Sequence, residues 1–256
     1  MPIQLDTGAI KAESRSLLRT GEVNPFRMTL FYLLITLVLD MINSGVSYMI
    51  DSAGGFTVLS FSFVSILIGL VSLVLNAGYY CYCFGILRRE QMPYESLFDA
   101  FPFAGKVILL SIVEGIFIFL WSMLFVIPGI IAAYRYSFAM MNLCENPNLG
   151  VMEALDLSKR QTNGYKMQFF FLQLSFIGWS LLVLGIFLIY ELLVAALLPD
   201  SFLGIMFGSL LLSVLAAGVG VYLTPYLNLS ICRFYQLATA PQVNEPPHFD
   251  SWNDNF

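Results

Sequence analysis

The sequence predicts an all-α polytopic membrane bundle, and three observations carry that expectation. Hydrophobic residues make up 58% and charged residues 11% of the 256 positions, whereas soluble domains carry roughly a quarter charged residues. Near-continuous apolar runs of the ~20 residues needed to cross a bilayer recur along the chain. Lys and Arg collect in alternate loops, the pattern that keeps a loop cytoplasmic.

Spans are expected at about 26–50, 56–87, 107–127, 129–145, 167–198 and 202–237. The run from Val107 to Leu143 is too long for one helix and short for two, with Pro128 and Gly129 near its middle. Charge decides how it threads. Lys11, Arg15, Arg19 and Arg27 precede the first span; Arg88, Arg89 and Lys106 follow the second; Lys159, Arg160 and Lys166 follow the long run; Arg233 ends the last. The loops "DSAGG" at 51–55 and "PDS" at 199–201 hold no basic residue. For the basic loops to share one side, the long run must cross an even number of times. It is therefore expected to be a hairpin turning at Pro128 and Gly129, giving six spans as three hairpins with both termini cytoplasmic. Five spans with a kinked third is the alternative. A leg from Gly129 to Leu143 is only ~22 Å long against a hydrocarbon core of roughly 30 Å, so its apolar turn is expected to be recessed, unless the leg continues through Cys144 and Glu145.

An internal repeat supports the hairpin. Laid over 136–155, the stretch 82–101 matches at Tyr82/Tyr136, Phe84/Phe138, Pro93/Pro147 and Ala100/Ala154. Each copy reads as the end of an inward-going helix, a turn with proline, then a short amphipathic helix. Short interfacial helices are expected at about 8–20, 94–104 and 148–163. In the last, Leu149, Met152 and Leu155 share a face, Asp156 and Arg160 form an i,i+4 pair, and Gly164 is placed to end the helix. Such helices lie in the headgroup plane, so Lys11, Arg15, Arg19, Lys159, Arg160 and Lys166 are expected to contact anionic lipid. Residues 1–240 thus read as one membrane domain, and the acidic, proline-rich tail 241–256 as disordered.

Several functions recede. A net charge of -5 without a basic stripe argues against nucleic acid. Cys81, Cys83, Cys144 and Cys232 read as reduced apolar filler, and Cys81 and Cys83, two apart on a helix, point to opposite sides. The one histidine, His248, lies in the tail, which removes Ser/His and Cys/His chemistry and most metal sites. No cleavable signal peptide is evident. No catalytic residue, cofactor or metal is expected, and the chain is not expected to be an enzyme.

Ionisable groups at membrane depth are the default site candidates. At 1.5 Å per residue, Asp40 lies about 20 Å from the inner surface, Arg135 about 10 Å below the outer turn and Glu114 about 12 Å above the inner surface. Asp40, Glu114 and Arg135 are therefore expected to form a buried charge network. Asn76, Asn142 and Gln173 read as interhelical hydrogen-bonding residues.

The blocks "IKAESRSLLRTG", "IFIFLWSMLFVIPGIIAAYRYSFAM", "NPNLGVMEALDLSKRQTNGYK", "LSFIGWSLL" and "LTPYLNLSICRFY" resemble the domain-of-unknown-function 975 family of bacterial membrane proteins. More distantly, the Ile-Pro-Gly hairpin and the helix after it are similar to the membrane domain of some glycerophosphodiester phosphodiesterases. The resemblance implies a bacterial cytoplasmic-membrane protein and brings no activity with it. Two functions remain open: transport or export of a small amphiphile, lipid or peptide, or service as a scaffold or accessory subunit. The bilayer is the expected partner in both, together with a homo-oligomer or another membrane protein.

Overall fold

The computed structural model describes residues 5–18, 24–52, 56–197 and 202–240. Within them the order is α1 (Thr7–Leu17), α2 (Pro25–Ser52), α3 (Phe56–Leu87), two 3-10 turns (Tyr94–Phe98 and Phe101–Phe103), α4 (Ala104–Leu124), α5 (Val126–Tyr136), α6 (Ala139–Glu145), α7 (Val151–Gln161), α8 (Lys166–Leu197) and α9 (Phe202–Thr239). No strand occurs among the described residues. Three stretches of these are long and apolar enough to cross a membrane: Pro25–Val46, Ser62–Leu87 and Tyr94–Leu124.

The middle of the chain departs from expectation. The leg expected at 129–145 is two helices, α5 and α6, of 11 and 7 residues. The turn is not at Pro128 and Gly129 but at Phe125, the one extended residue between α4 and α5. Pro128 and Gly129 sit in the first turn of α5. Proline is tolerated there because its missing N–H would have had no partner within the helix. The Gly129 N–H opens the ladder by donating to the Phe125 carbonyl at 3.3 Å. The helix expected at 94–104 is instead the pair of 3-10 turns running into α4. Pro102 within the second turn withholds a backbone donor and keeps the segment from closing as one α-helix.

The short helices form for local reasons. Asp6 caps α1 by accepting the Gly8 N–H at 2.8 Å, and Ile10, Ser14 and Leu17 make its buried face. At the start of α7 the Glu153 carboxylate accepts the Gly150 N–H at 3.3 Å. Gly164, with φ 88°, turns the chain from α7 into α8.

Packing has a cyclic order. α2 pairs with α3, α4 with α5, and α8 with α9, and each short element rests on the second member of the preceding pair. The first 3-10 turn rests on α3, α7 on α5 and α6, and α1 closes the ring on α9. The ends of α3, α6 and α9 meet in an aromatic core of Tyr79, Tyr82, Phe84, Phe138, Phe234 and Tyr235, all buried. Phe138 sits edge-on to Tyr235 at 5.3 Å and to Phe169 at 5.4 Å, the geometry that ring quadrupoles favour. Beyond this layer the described parts of α2, α4 and α8 carry exposed Leu, Ile and Phe on most sides.

One close approach fixes where α3 meets the first 3-10 turn. A Cβ on Gly78 would stand 1.9 Å from the Leu97 carbonyl oxygen, which is backbone and cannot rotate away, whereas one on Gly69 would meet nothing. Gly78→Ala is expected to destabilise the protein by about 1–3 kcal/mol through overpacking. Gly69→Ala should be neutral or slightly stabilising. Thermal unfolding of both variants in mild detergent checks the contrast.

Candidate functional site

The site is built on the break between α5 and α6. The Ser158 hydroxyl of α7 donates to the Arg135 carbonyl at 2.9 Å and accepts the Phe138 N–H at 3.2 Å. A side chain thus stands where the helical ladder would have run on. Thr162 adds a second hydroxyl 3.2 Å from the same carbonyl. One turn on, Asn142 donates to the Ala154 carbonyl at 3.3 Å and accepts from the Tyr235 hydroxyl at 2.8 Å. That hydroxyl is also 3.0 Å from Glu145, whose other oxygen is paired with Arg88 at 3.3 Å. These bonds tie α3, α6, α7 and α9 together, and α7 runs antiparallel along α5 and α6.

Above this clamp lies a cavity of about 470 Å³. Tyr80 of α3, Glu114 of α4, Tyr134 and Ser137 beside the break, Phe169 and Gln173 of α8 and Ile231 of α9 are among its walls. The Tyr134 hydroxyl donates to the Gln173 side-chain carbonyl at 2.9 Å, which orients the amide. Among the described residues no cation or hydrogen-bond donor reaches the Glu114 carboxylate, which is mostly shielded by apolar neighbours. The arrangement offers one carboxyl group, an oriented amide and hydroxyls on an otherwise apolar and aromatic wall.

The structure does not bring the three expected charges together. Asp40 is on the exposed side of α2, where its carbonyl accepts the Ser44 hydroxyl at 2.8 Å. Arg135 lines a separate pocket of about 150 Å³ with Trp121, Pro128, Ile131 and Ala132. No ion pair joins Arg135 to Asp40 or Glu114 among the described residues. The expected depths assumed straight full-length legs, but the chain breaks after Tyr136 and α7 rises beside it, so Arg135 faces α7. Lys159, 2.6 Å away, holds the Asp156 carboxyl below its usual pKa range, with Arg160 and Arg135 adding to the effect.

The basic residues divide as well. Lys11 donates to the Ser175 hydroxyl and lies 4.8 Å over the Phe176 ring, while Arg15 lies 5.5 Å over Tyr226. Burial pushes the Lys11 ammonium pKa below its ordinary value. The apolar face of α1 therefore meets protein, and these two cations stack on rings. Arg160 is exposed, Lys159 and Lys166 are half-buried, and Arg19 lies outside the described residues, as does the tail 241–256. Asn142 and Gln173 make the interhelical bonds given above, and the Asn76 amide lies 3.4 Å from the Tyr32 hydroxyl. Cys81 contacts Cys144, and Cys83 contacts Cys232. Among the described residues no three His, Cys, Asp or Glu side chains gather as a metal site would need. Sequence reading missed Ser158 and Tyr235. Nothing in spacing marks a serine that bonds backbone 20 residues away.

Residues 123–241 match the model of a family described as "Protein of unknown function (DUF975)". It takes in α5 to α9 with the whole Ser158 clamp, and leaves Tyr80 and Glu114 outside. No curated protein and no solved structure matches.

Ser158→Ala removes a hydroxyl that pairs two buried backbone groups. It should cost about 1–3 kcal/mol, whereas Ser16→Ala, which removes an exposed hydroxyl bonded within α1, should change stability by less than about 0.5 kcal/mol. Detergent melting curves of the two variants measure the difference.

Proposed function

We propose that this chain, part of which matches a family whose description names no activity, is a multi-pass protein of the bacterial cytoplasmic membrane that binds a small amphiphile in the central cavity and assists its movement or export. In this reading the long helices enter the bilayer as three pairs, with both termini on the cytoplasmic side, where the basic residues collect. The observation that carries the proposal is the cavity itself: an unpaired Glu114 facing Gln173, Tyr134 and Tyr80 across apolar walls. A carboxylate in such surroundings favours a ligand with a cationic head and an apolar body, because the head replaces the missing counter-charge while the body covers Phe169 and Ile231. The described groups offer no nucleophile, base and orienting residue in mutual contact, so binding rather than chemistry is the reading adopted.

A second reading, a membrane scaffold, draws on the density of the layer below the cavity. There α1, α7 and the ends of α3, α6 and α9 present a fixed surface, and Arg88 and Arg160 are exposed. In that case headgroups or a partner protein engage the layer, and the cavity is only a packing void.

The two readings separate on one substitution. In proteoliposomes, binding of a fluorescent alkylammonium amphiphile is expected to weaken about tenfold or more with Glu114→Gln, which corresponds to roughly 1.4 kcal/mol. Asp40→Asn should leave it unchanged. Equal binding by wild type and Glu114→Gln protein would remove the cavity reading and leave the scaffold.

A further inference from the structure

The helices reach unequal heights above a common layer. Tyr80 and Tyr134 line the same cavity as Phe169 and Ile231, and the Thr29 hydroxyl touches that of Tyr79 at 2.7 Å. At 1.5 Å per residue, α3 continues from Tyr80 back to Phe56 for about 36 Å. By the same rise α8 runs about 42 Å from Phe169 to Leu197, α9 about 44 Å from Ile231 back to Phe202, and α2 about 34 Å from Thr29 to Ser52. Any of these crosses a hydrocarbon core of roughly 30 Å. The middle pair does not keep up: α5 extends about 12 Å from Tyr134 back to Val126, and α4 about 15 Å from Glu114 to Leu124.

On the topology proposed above, the layer lies at the cytoplasmic surface. Arg27 and Lys166 start α2 and α8 there, and Lys159 reaches the Tyr136 ring at 6.0 Å. The middle pair then ends about halfway through the bilayer. We infer that α4 and α5 form a re-entrant hairpin whose tip, Met123 to Ile127, is embedded among lipid acyl chains near the bilayer centre.

The chemistry of the tip fits this occupant. Phe125, Val126 and Ile127 are 71%, 73% and 72% exposed, and the turn holds no polar side chain between Met123 and Pro128. A turn at a watery surface has no reason to be so apolar; "DSAGG" and "PDS", which close the taller pairs, are not. Backbone polar groups in lipid must be satisfied within the protein, and here only Phe125 leaves the helical conformation. The Phe125 N–H donates to the Trp121 carbonyl and its own carbonyl accepts from Gly129, both at 3.3 Å, while Pro128 has no N–H to satisfy. If instead the tip stood at the far surface, roughly 20–30 Å of each taller helix, including "LLVLGIFLIYELLVAAL" of α8, would stand in water. The hairpin enters and leaves on the cytoplasmic side, so the even number of crossings that the loop charges demand is kept with four full crossings in place of six.

Depth-dependent quenching tests this without reference to any cavity ligand. The protein carrying Trp121→Phe, Trp179→Phe, Trp252→Phe and Val126→Trp is reconstituted in phosphatidylcholine vesicles that contain a nitroxide either on the headgroup or near the end of the acyl chain. The chain-end nitroxide is expected to quench at least twofold more than the headgroup one. Stronger quenching by the headgroup label would mean a full crossing, and no quenching by either would mean that protein covers the tip; either result overturns the inference. A gentler variant keeps native Trp121, close to the tip, as the sole tryptophan and should give the same order. Impermeant maleimide provides a separate check in intact cells, counted above the labelling of the parent chain. Ser52→Cys should label from outside and Val126→Cys should not, and equal labelling of the two would refute the re-entrant hairpin.

Discussion

A single hydroxyl governs the middle of this fold. By standing between the Arg135 carbonyl and the Phe138 N–H, Ser158 satisfies two backbone groups that the α5 to α6 break would otherwise strand. Buried backbone groups without partners are costly, so the break and the position of α7 imply each other. Once α7 lies antiparallel along α6, Gly164 turns the chain upward and α8 starts beside α5. Phe169 and Gln173 then face Tyr134, and the cavity follows from that placement. Asn142, with Ala154 on one side and Tyr235 on the other, carries the same constraint to α9.

The molecule therefore has two mechanical regimes. Near the clamp, aromatic edges, hydrogen bonds and close backbone contacts leave few alternative arrangements, as at Gly78 against Leu97. Farther along, the described parts of α2 and α4 expose large apolar side chains. In a bilayer, lipid would be as apolar as those side chains, and no hydrophobic force would draw the helices together there. The cavity lies at the boundary between the regimes, with some walls fixed by the clamp and others, notably Glu114, on a helix bounded mainly by α5.

The sequence made the helices legible wherever apolar length alone decides. α3 begins and ends where its run does, at Phe56 and Leu87, and α8 differs from its expected bounds by one residue at each end. The repeat was legible too: Tyr82 and Tyr136, Phe84 and Phe138, Ala100 and Ala154 are buried as pairs. Depth was not legible, because composition does not report how far a hairpin rises above its neighbours. Arg135 was placed by counting down from a turn at Pro128 and Gly129, whereas the turn is at Phe125. The rings beside Lys11 and Arg15, Phe176 and Tyr226, lie far along the chain, and no local pattern announces them. Proline and glycine marked a hairpin, but the turn formed three residues earlier, at Phe125, since proline serves a helix start better than a hairpin apex.

Of the acidic groups at membrane depth, the environment singles out Glu114. Asp40 is exposed on α2, and no described wall encloses it. Glu114 faces a space of about 470 Å³ that admits on the order of ten or more waters. Water entering that space would be the carboxylate's partner, since no described side chain is. Any ligand that fills the space displaces it and must return an equivalent interaction to Glu114, or the site loses more by desolvating the carboxylate than it gains by covering Phe169 and Ile231. A neutral hydrocarbon cannot meet that requirement, and an anion makes it worse. An ammonium on an apolar body meets it with one contact, and the amide that Tyr134 orients on Gln173 supplies a further polar partner.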